Sequence, residues 1–256
     1  LTAVKKYVAV VPAAGIGSRM NSAVAKQYLT IGSRTVIEHT LDALLSHPKI
    51  EGIVVVLHPQ DRTFTSLKIA NNPLLEVVIG GSERVDSVLN GLQHCLNKAS
   101  VNADSWVLVH DAARPCVTHT ELDVLLASEN TCDGAILAVP VTDTIKRANV
   151  SDNESSIEIA ETVDRTQLWQ AQTPQFFPLQ KLIDAIQLAQ INGIKITDEA
   201  SAMEYTKASI QLIEGRSTNI KITRPSDLEL AAFYLSNNKP SNINRNSKQG
   251  GNRCSV

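Results

Sequence analysis

The stretch "VAVVPAAGIGSRM", residues 8–20, decides the fold. It sets an apolar, β-branched run against two glycines and an arginine. Such a run, apolar at successive positions rather than at alternate ones, is the mark of a strand covered on both faces. Gly15 and Gly17 follow it, where missing Cβ atoms let backbone N–H groups close on an anion, phosphate above all. The pattern is not a P-loop, since no GxxxxGK[ST] occurs, and it is not a full dinucleotide fingerprint, since Met20 stands where the third glycine belongs. The competing reading is a plain tight strand-to-helix turn, because glycine is common punctuation.

The next residues, "GSRMNSAVAKQYL", place Arg19 and Lys26 close behind Gly17. Arg forks onto two phosphate oxygens while Lys acts as a mobile point charge on a third, so the pair suits a polyphosphate. Two solvated surface charges are the alternative.

Further apolar runs recur at 52–59, 75–81, 106–115 and 134–141, with helical patterns between most of them. "TVIEHTLDALLSHP" puts Val36, Ile37, Leu41, Leu44 and Leu45 on one stripe, and "SERVDSVLNGLQHCL" does the same with Val85, Val88, Leu89, Leu92 and Leu96. The alternation predicts an α/β fold with a mostly parallel sheet covered by helices. From about residue 142 the texture changes to short alternating segments around a polar turn. This predicts an antiparallel β-arm over about 142–173, and an arm of that length needs a partner surface, so a homodimer is expected. Strands are also expected at "IKITD", "IQLIEG" and "NIKIT", and a final helix at "PSDLELAAFYLS". Residues 1–236 are read as one domain, and the polar segment 237–256 as a disordered tail.

The 256 residues carry a formal net charge of −2, so nothing in the bulk charge draws the chain to nucleic acid or an anionic membrane. No run is long and apolar enough to span a bilayer and no signal-peptide pattern opens the chain, so the cytoplasm is expected, with Leu1 not the native start. Cys95, Cys116, Cys132 and Cys254 form no CxxC pair and are read as buried or idle thiols.

The remaining candidates also fall at strand ends. In "VIGGSERVDSV", Gly81, Ser82 and the amides after them can meet a base, ribose or phosphate, with Ser82 as a plain N-cap the alternative, and Arg84 and Ser87 share a helical face beside them. "VHDAARP" puts Asp111 and Arg114 past a strand, with Ala112 and Ala113 leaving room for a ligand; a structural Asp–Arg pair competes, and His110 is read as packed. Thr144, Arg165 and Thr173 lie in polar contexts of the arm, where Arg165 could simply bond Asp164. Thr197 or Asp198 caps a helix in "ITDEASAMEY", and Lys221 and Arg224 flank the expected strand in "NIKITRPSD".

With these residues in view, the chain resembles the 2-C-methyl-D-erythritol 4-phosphate cytidylyltransferases of the non-mevalonate isoprenoid pathway. The resemblance runs through "VVPAAGIGSRM", "KQYL", "GGSERVDSV", "LVHDAARP", "PVTDTIKR", "TVDRTQLWQAQTPQ", "ITDEASAMEY" and "NIKITRPSDL". It implies a Rossmann-like nucleotidyltransferase fold, a homodimer clasped by the arms, and a divalent ion, usually magnesium. The implied reaction joins CTP to a polyol phosphate, methylerythritol phosphate, and releases pyrophosphate. By motif position, Pro12, Ala13, Ala14, Gly15, Gly17, Gly81, Ser82 and Ser87 would hold CTP. Arg19 and Lys26 would stabilise the transition state, and Arg165 and Lys221 would position the incoming phosphate. Asp111, Ala112, Arg114, Thr144, Thr173 and Thr197 would surround the sugar-alcohol, with Thr144 and Arg165 serving the neighbouring protomer. Metal ligands stay unassigned, although Asp111 offers one hard oxygen. Ser18 and Ser82 depart from the family pattern, the first from a basic residue in some relatives and the second from an acidic one.

The implied nucleophile, a phosphate oxygen, is already ionised near neutral pH, so no activating base is required and fixed cations must offset the repulsion of two polyanions. A cytidylyltransferase for ribitol phosphate, a CTP-binding protein without turnover, and a dinucleotide oxidoreductase are the rival readings; the last lacks a well-placed ribose-binding acid.

Overall fold

The computed structural model describes residues 5–15, 24–98, 101–129, 131–149 and 157–237. Its first strand, β1 (Tyr7–Ala13), is buried almost throughout. Tyr7, Ala9, Val11 and Ala13 point into one core and Val8 and Val10 into another, as the period of two demands of a strand covered on both faces. Two short strands, β2 (Thr30–Ile31) and β3 (Arg34–Thr35), pair with each other ahead of helix α1 (Val36–Leu45). Thr35 opens α1 with a capping box: its backbone N–H donates to Glu38, whose own N–H returns to the Thr35 hydroxyl. Strand β4 (Ile50–Leu57) lies parallel to β1, and β5 (Leu75–Ile79) parallel to β4. Helix α2 (Arg84–Leu96) follows, then β6 (Trp106–Val109), which flanks β1 on its other side. Helix α3 (His119–Leu126), strand β7 (Gly134–Pro140), β8 (Ile145–Asn149), β9 (Glu158–Val163) and β10 (Trp169–Pro178) complete the middle of the chain. Helices α4 (Leu179–Ile191) and α5 (Glu199–Tyr205), strand β11 (Ile210–Glu214) and helix α6 (Ser226–Asn237) close it.

The main sheet has the order β11-β7-β10-β6-β1-β4-β5. All its strands run one way except β10, which is antiparallel to both neighbours. Helices α1 and α3 cover one face and α2, α4 and α5 the other. The two helical stripes read from the sequence are the buried ones: Val36, Ile37, Leu41 and Leu44 on α1, and Val88 and Leu92 on α2. Glycine at position 91 lets α2 approach the sheet closely, since a Cβ there would fall 2.6 Å from Val10 and 2.8 Å from Val56. A third, smaller cluster seats α6 on Val36, Ala113, Cys116 and Ile222. Cys95 and Cys116 are buried free thiols, pushed up to about 12 by burial; Cys254 lies outside the described residues.

Three expectations change. "IKITD" is not a strand: Gly193, at φ +65°, turns the chain off α4, and the few residues left run straight into the cap of α5. "NIKIT" is not a strand either, because its backbone is held by other groups. Asn219 offers its carbonyl to Arg114 at 2.6 Å, and the Ile222 N–H reaches the Ala113 carbonyl at 2.9 Å. The arm is also shorter than 142–173. Its hairpin is β8 paired with β9, whereas Trp169, Gln170 and Ala171 already pair with β7 in the main sheet. That hairpin is exposed on most of its length, with Ile157 and Ile159 at 83% and 66% exposure, and its turn falls outside the described residues. Among the described residues no helix is long and apolar enough to cross a membrane. The segment 237–256 lies outside them but for Asn237, the last residue of α6.

Candidate active site

A cleft of about 570 Å³ opens at the carboxyl ends of β1, β4, β5 and β6. The physical reason is topological: parallel strands deliver their following turns to one edge of the sheet, so residues distant in sequence meet there. Pro12 to Gly15 form one wall, Gly80 to Arg84 and Ser87 another, and Asp111 to Ala113 with Lys221 the floor. Lys26 enters from a 3₁₀ turn over Lys26–Tyr28.

Each turn is held from behind. Gln27, 4% exposed, donates its amide to the carbonyls of Ala13 at 2.8 Å and Gly15 at 3.3 Å. Those carbonyls are thereby occupied by protein rather than facing a ligand. In the second turn the Gly81 N–H donates to the Ser87 hydroxyl at 3.1 Å, which itself donates to the Glu83 carbonyl. A Cβ on Gly80 would lie 2.6 Å from that hydroxyl and 2.8 Å from the Ala14 Cβ, so the two turns meet at a point only glycine fits. Ser82 is not the cap of α2. Glu83 holds that position, and the Ser82 hydroxyl donates to Asp86 at 2.7 Å.

The floor is a run of alternating charge. Arg84 forks onto Glu199, with Nη1–Oε1 at 2.7 Å and Nη2–Oε2 at 3.2 Å, and its Nη2 also reaches Asp111 Oδ1 at 3.0 Å. Lys221 Nζ takes the other oxygen, Oδ2, at 2.7 Å, and Arg114 Nε stands 3.9 Å from it. Burial works against the Asp111 charge, but Arg84, Lys221 and Arg114 outweigh it and hold the carboxyl well below the usual range. Burial likewise pushes Arg114 down, against the pull of Asp111.

Behind Asp111 sits a neutral chain. His110, fully buried, donates from Nε2 to the Arg114 carbonyl and accepts at Nδ1 from the Thr173 hydroxyl, which accepts from the Asp111 N–H; every distance is 3.0 Å. Burial pushes His110 down to about 4, so it is a packed, neutral residue at neutral pH, as read from the sequence.

The cleft thus brings together Pro12, Ala13, Ala14, Gly15, Lys26, Gly81, Ser82, Ser87, Asp111, Ala112 and Lys221. Arg114 and Thr173 lie just beneath it and are buried, Arg114 on the Asn219 carbonyl and Thr173 between the Asp111 N–H and the His110 ring. Thr144, Arg165 and Thr197 are exposed and do not line it. Gly17, Ser18 and Arg19 lie outside the described residues. Sequence reading missed Gln27, His58 and Glu199, and it left Arg84 as a mere neighbour of Ser87.

Among the described residues no three His, Cys, Asp or Glu side chains converge on a metal site. Asp111 fits a divalent ion poorly, because each of its oxygens already faces a cation. A resident metal centre is not what these residues build.

The mixed α/β sheet, with glycine turns and fixed cations at its carboxyl edge, defines a nucleotide-binding protein of the nucleotidyltransferase type. The family model described as "IspD: 2-C-methyl-D-erythritol 4-phosphate cytidylyltransferase" matches residues 7–237, and the chain belongs to that family. It is 57% identical over 230 residues to the 2-C-methyl-D-erythritol 4-phosphate cytidylyltransferase of Tolumonas auensis, covering 90% of this chain and 96% of the relative. It is 52% identical over 227 residues to the protein of that name from Aeromonas hydrophila, covering 89% and 88%. Among solved structures, that of the Francisella tularensis 2-C-methyl-D-erythritol 4-phosphate cytidylyltransferase aligns with a TM-score of 0.75 at 32% identity, over 90% of this chain and all of that one. A crystal structure of 4-diphosphocytidyl-2C-methyl-D-erythritol synthase aligns with a TM-score of 0.76 at 38% identity, over 90% and 99%.

Proposed function

We propose that this chain transfers the cytidylyl group of CTP to 2-C-methyl-D-erythritol 4-phosphate, giving 4-diphosphocytidyl-2-C-methyl-D-erythritol and pyrophosphate. The observation that carries the reading is the cleft itself: two glycine turns pinned from behind, beside Lys26 on one side and Lys221 on the other. The turns Pro12–Gly15 and Gly81–Ser82, with Ser87, take the nucleotide. Lys26, together with Arg19 by motif position, faces the α-phosphorus, where negative charge builds as the pentacoordinate transition state forms. Lys221 meets the acceptor phosphate, and Asp111, Ala112 and Arg114 shape the polyol pocket, with Thr173 and Thr197 at its margin. The acceptor oxygen attacks as an anion and pyrophosphate leaves, so the site orients and neutralises without moving a proton. That fits a floor whose histidine is buried and neutral. A divalent ion, magnesium foremost, would be held chiefly by the CTP triphosphate rather than by these residues, and would supply further neutralisation of the phosphate charge.

Residues 1–236 act as one unit in this reading, and the β8–β9 hairpin clasps a second copy. A two-stranded ribbon exposed on both faces is marginal by itself, which supports a covering partner. Thr144 and Arg165 then serve the partner's cleft, in keeping with their exposure here.

Pyrophosphate release, measured with CTP, magnesium and a panel of acceptors, tests the proposal. Methylerythritol phosphate should be the preferred acceptor; preference for ribitol 5-phosphate, or CTP binding without release, would overturn it. Lys26→Ala should lower turnover by about a hundred- to a thousand-fold while the protein still folds.

A further inference from the structure

We propose that Glu199 is a positioning residue for the acceptor side of the reaction, acting through Arg84 and Asp111 on Lys221. The inference rests on the reading of Lys221 as the acceptor-phosphate residue.

Glu199 is 2% exposed and does not line the cleft, yet its carboxylate takes both ends of the Arg84 fork. A buried carboxylate is costly, and an apolar side chain would pack as well or better, so bulk stability is a poor reason for it. Geometry is a better one. The start of α5 is pinned to the sheet: Gln175 of β10 accepts from the Ala200 N–H at 2.8 Å and donates to Asp198 at 2.9 Å. Asp198 in turn caps the helix on the Ser201 N–H. Glu199 therefore projects from a fixed point and orients Arg84. Arg84 spends Nη2 on Asp111 Oδ1, which leaves Oδ2 for Lys221. With Arg84 held by Glu199, its Nη2 and Nε stay on Oδ1, at 3.0 and 3.4 Å, and Oδ2 is left to Lys221, with Arg114 Nε farther off at 3.9 Å. Without Glu199 the guanidinium can swing onto both Asp111 oxygens and compete with Lys221 for its anchor. Lys221 sits on an irregular segment rather than a strand, so this pair is a main constraint on its ammonium. Lys26 belongs to the separate 3₁₀ turn.

The test is steady-state kinetics in each substrate for wild type, Glu199→Gln, Lys221→Gln and the double variant, each with a thermal melt. Glu199→Gln should raise the acceptor KM roughly tenfold with the CTP KM within about twofold, and the double variant should be no more than about twofold worse than Lys221→Gln alone. Multiplying losses in the double variant, or equal rises in both KM values, would overturn the relay. If Lys221→Gln raises the acceptor KM and Glu199→Gln does not, the relay alone fails. If Lys221→Gln leaves that KM unchanged, the Lys221 reading and the relay fall together. Should Glu199→Gln not fold, Glu199→Asp takes its place in the same cycle, where the shortened side chain cannot reach both ends of the fork.

Discussion

Replacing Asp111 by asparagine removes one charge from a floor where three cations and two carboxylates meet. In the native cleft, Arg84, Lys221 and Arg114 face two carboxylates, Asp111 and Glu199. The variant leaves Arg84 on Glu199 and takes from Lys221 and Arg114 the carboxylate they face. A unit charge pair about 4 Å apart is worth about 4 kcal/mol at an effective dielectric near 20. Arg84 and Lys221 keep 34% and 38% of their side chains exposed, so solvent screens part of their loss. The asparagine oxygen also still accepts one hydrogen bond. The net cost is then about 3 kcal/mol, the low end for breaking a buried pair. For a chain of this length that lowers the melting temperature by roughly 6–12 °C. The assay is a thermal melt in low-salt buffer, repeated with inorganic tripolyphosphate. The polyanion should raise the variant's melt more than the wild type's, because it can supply the missing negative charge. A variant melting within about 2 °C of wild type would refute the picture of a charge-balanced floor.

Two further outcomes follow from neighbouring groups. His110 is held near 4 against an ordinary value of 6.5, so between those pH values the unfolded chain binds the extra proton and the folded one does not. Stability contributed by the neutral ring is therefore fully present above about pH 6.5 and falls by about 3 kcal/mol as pH drops to about 4, a slope that His110→Gln should flatten in denaturant titrations. Asp111 is depressed, so its own contribution is lost only below the ordinary carboxylate range, which keeps the two windows apart. Gly80→Ala would press a methyl between Ser87 and Ala14; at about 1–3 kcal/mol of overpacking, the CTP KM should rise roughly five- to a hundred-fold, and an unchanged value would show that the two turns can part freely.

The parallel sheet was legible because burial on both faces writes itself into consecutive residues, as "VAVV" does in β1. The glycine turns were legible because they must follow those strands. Ion pairs leave no such local mark. Arg84 and Glu199 stand 115 positions apart, and each alone looks like the first turn of a surface helix. Gln27 was hidden for the same reason, its partners being carbonyls, which every residue has. The 219–223 segment misled because its alternation is real but serves packing: Ile222 is buried while Asn219 bonds inward to Thr173.

The reversed direction of β10 has a consequence for how such a scaffold can diversify. Because Trp169 sits opposite Pro140, the chain leaves β7 and returns to β10 at the same rim where the turns around Asp111 lie. Strands β8 and β9 lie between those two anchor points, on an insert that can lengthen, shorten or change its chemistry without rerouting the core. Natural variation or a protein engineer can therefore alter the exposed β8–β9 ribbon by editing one insert, while the folding problem stays the same.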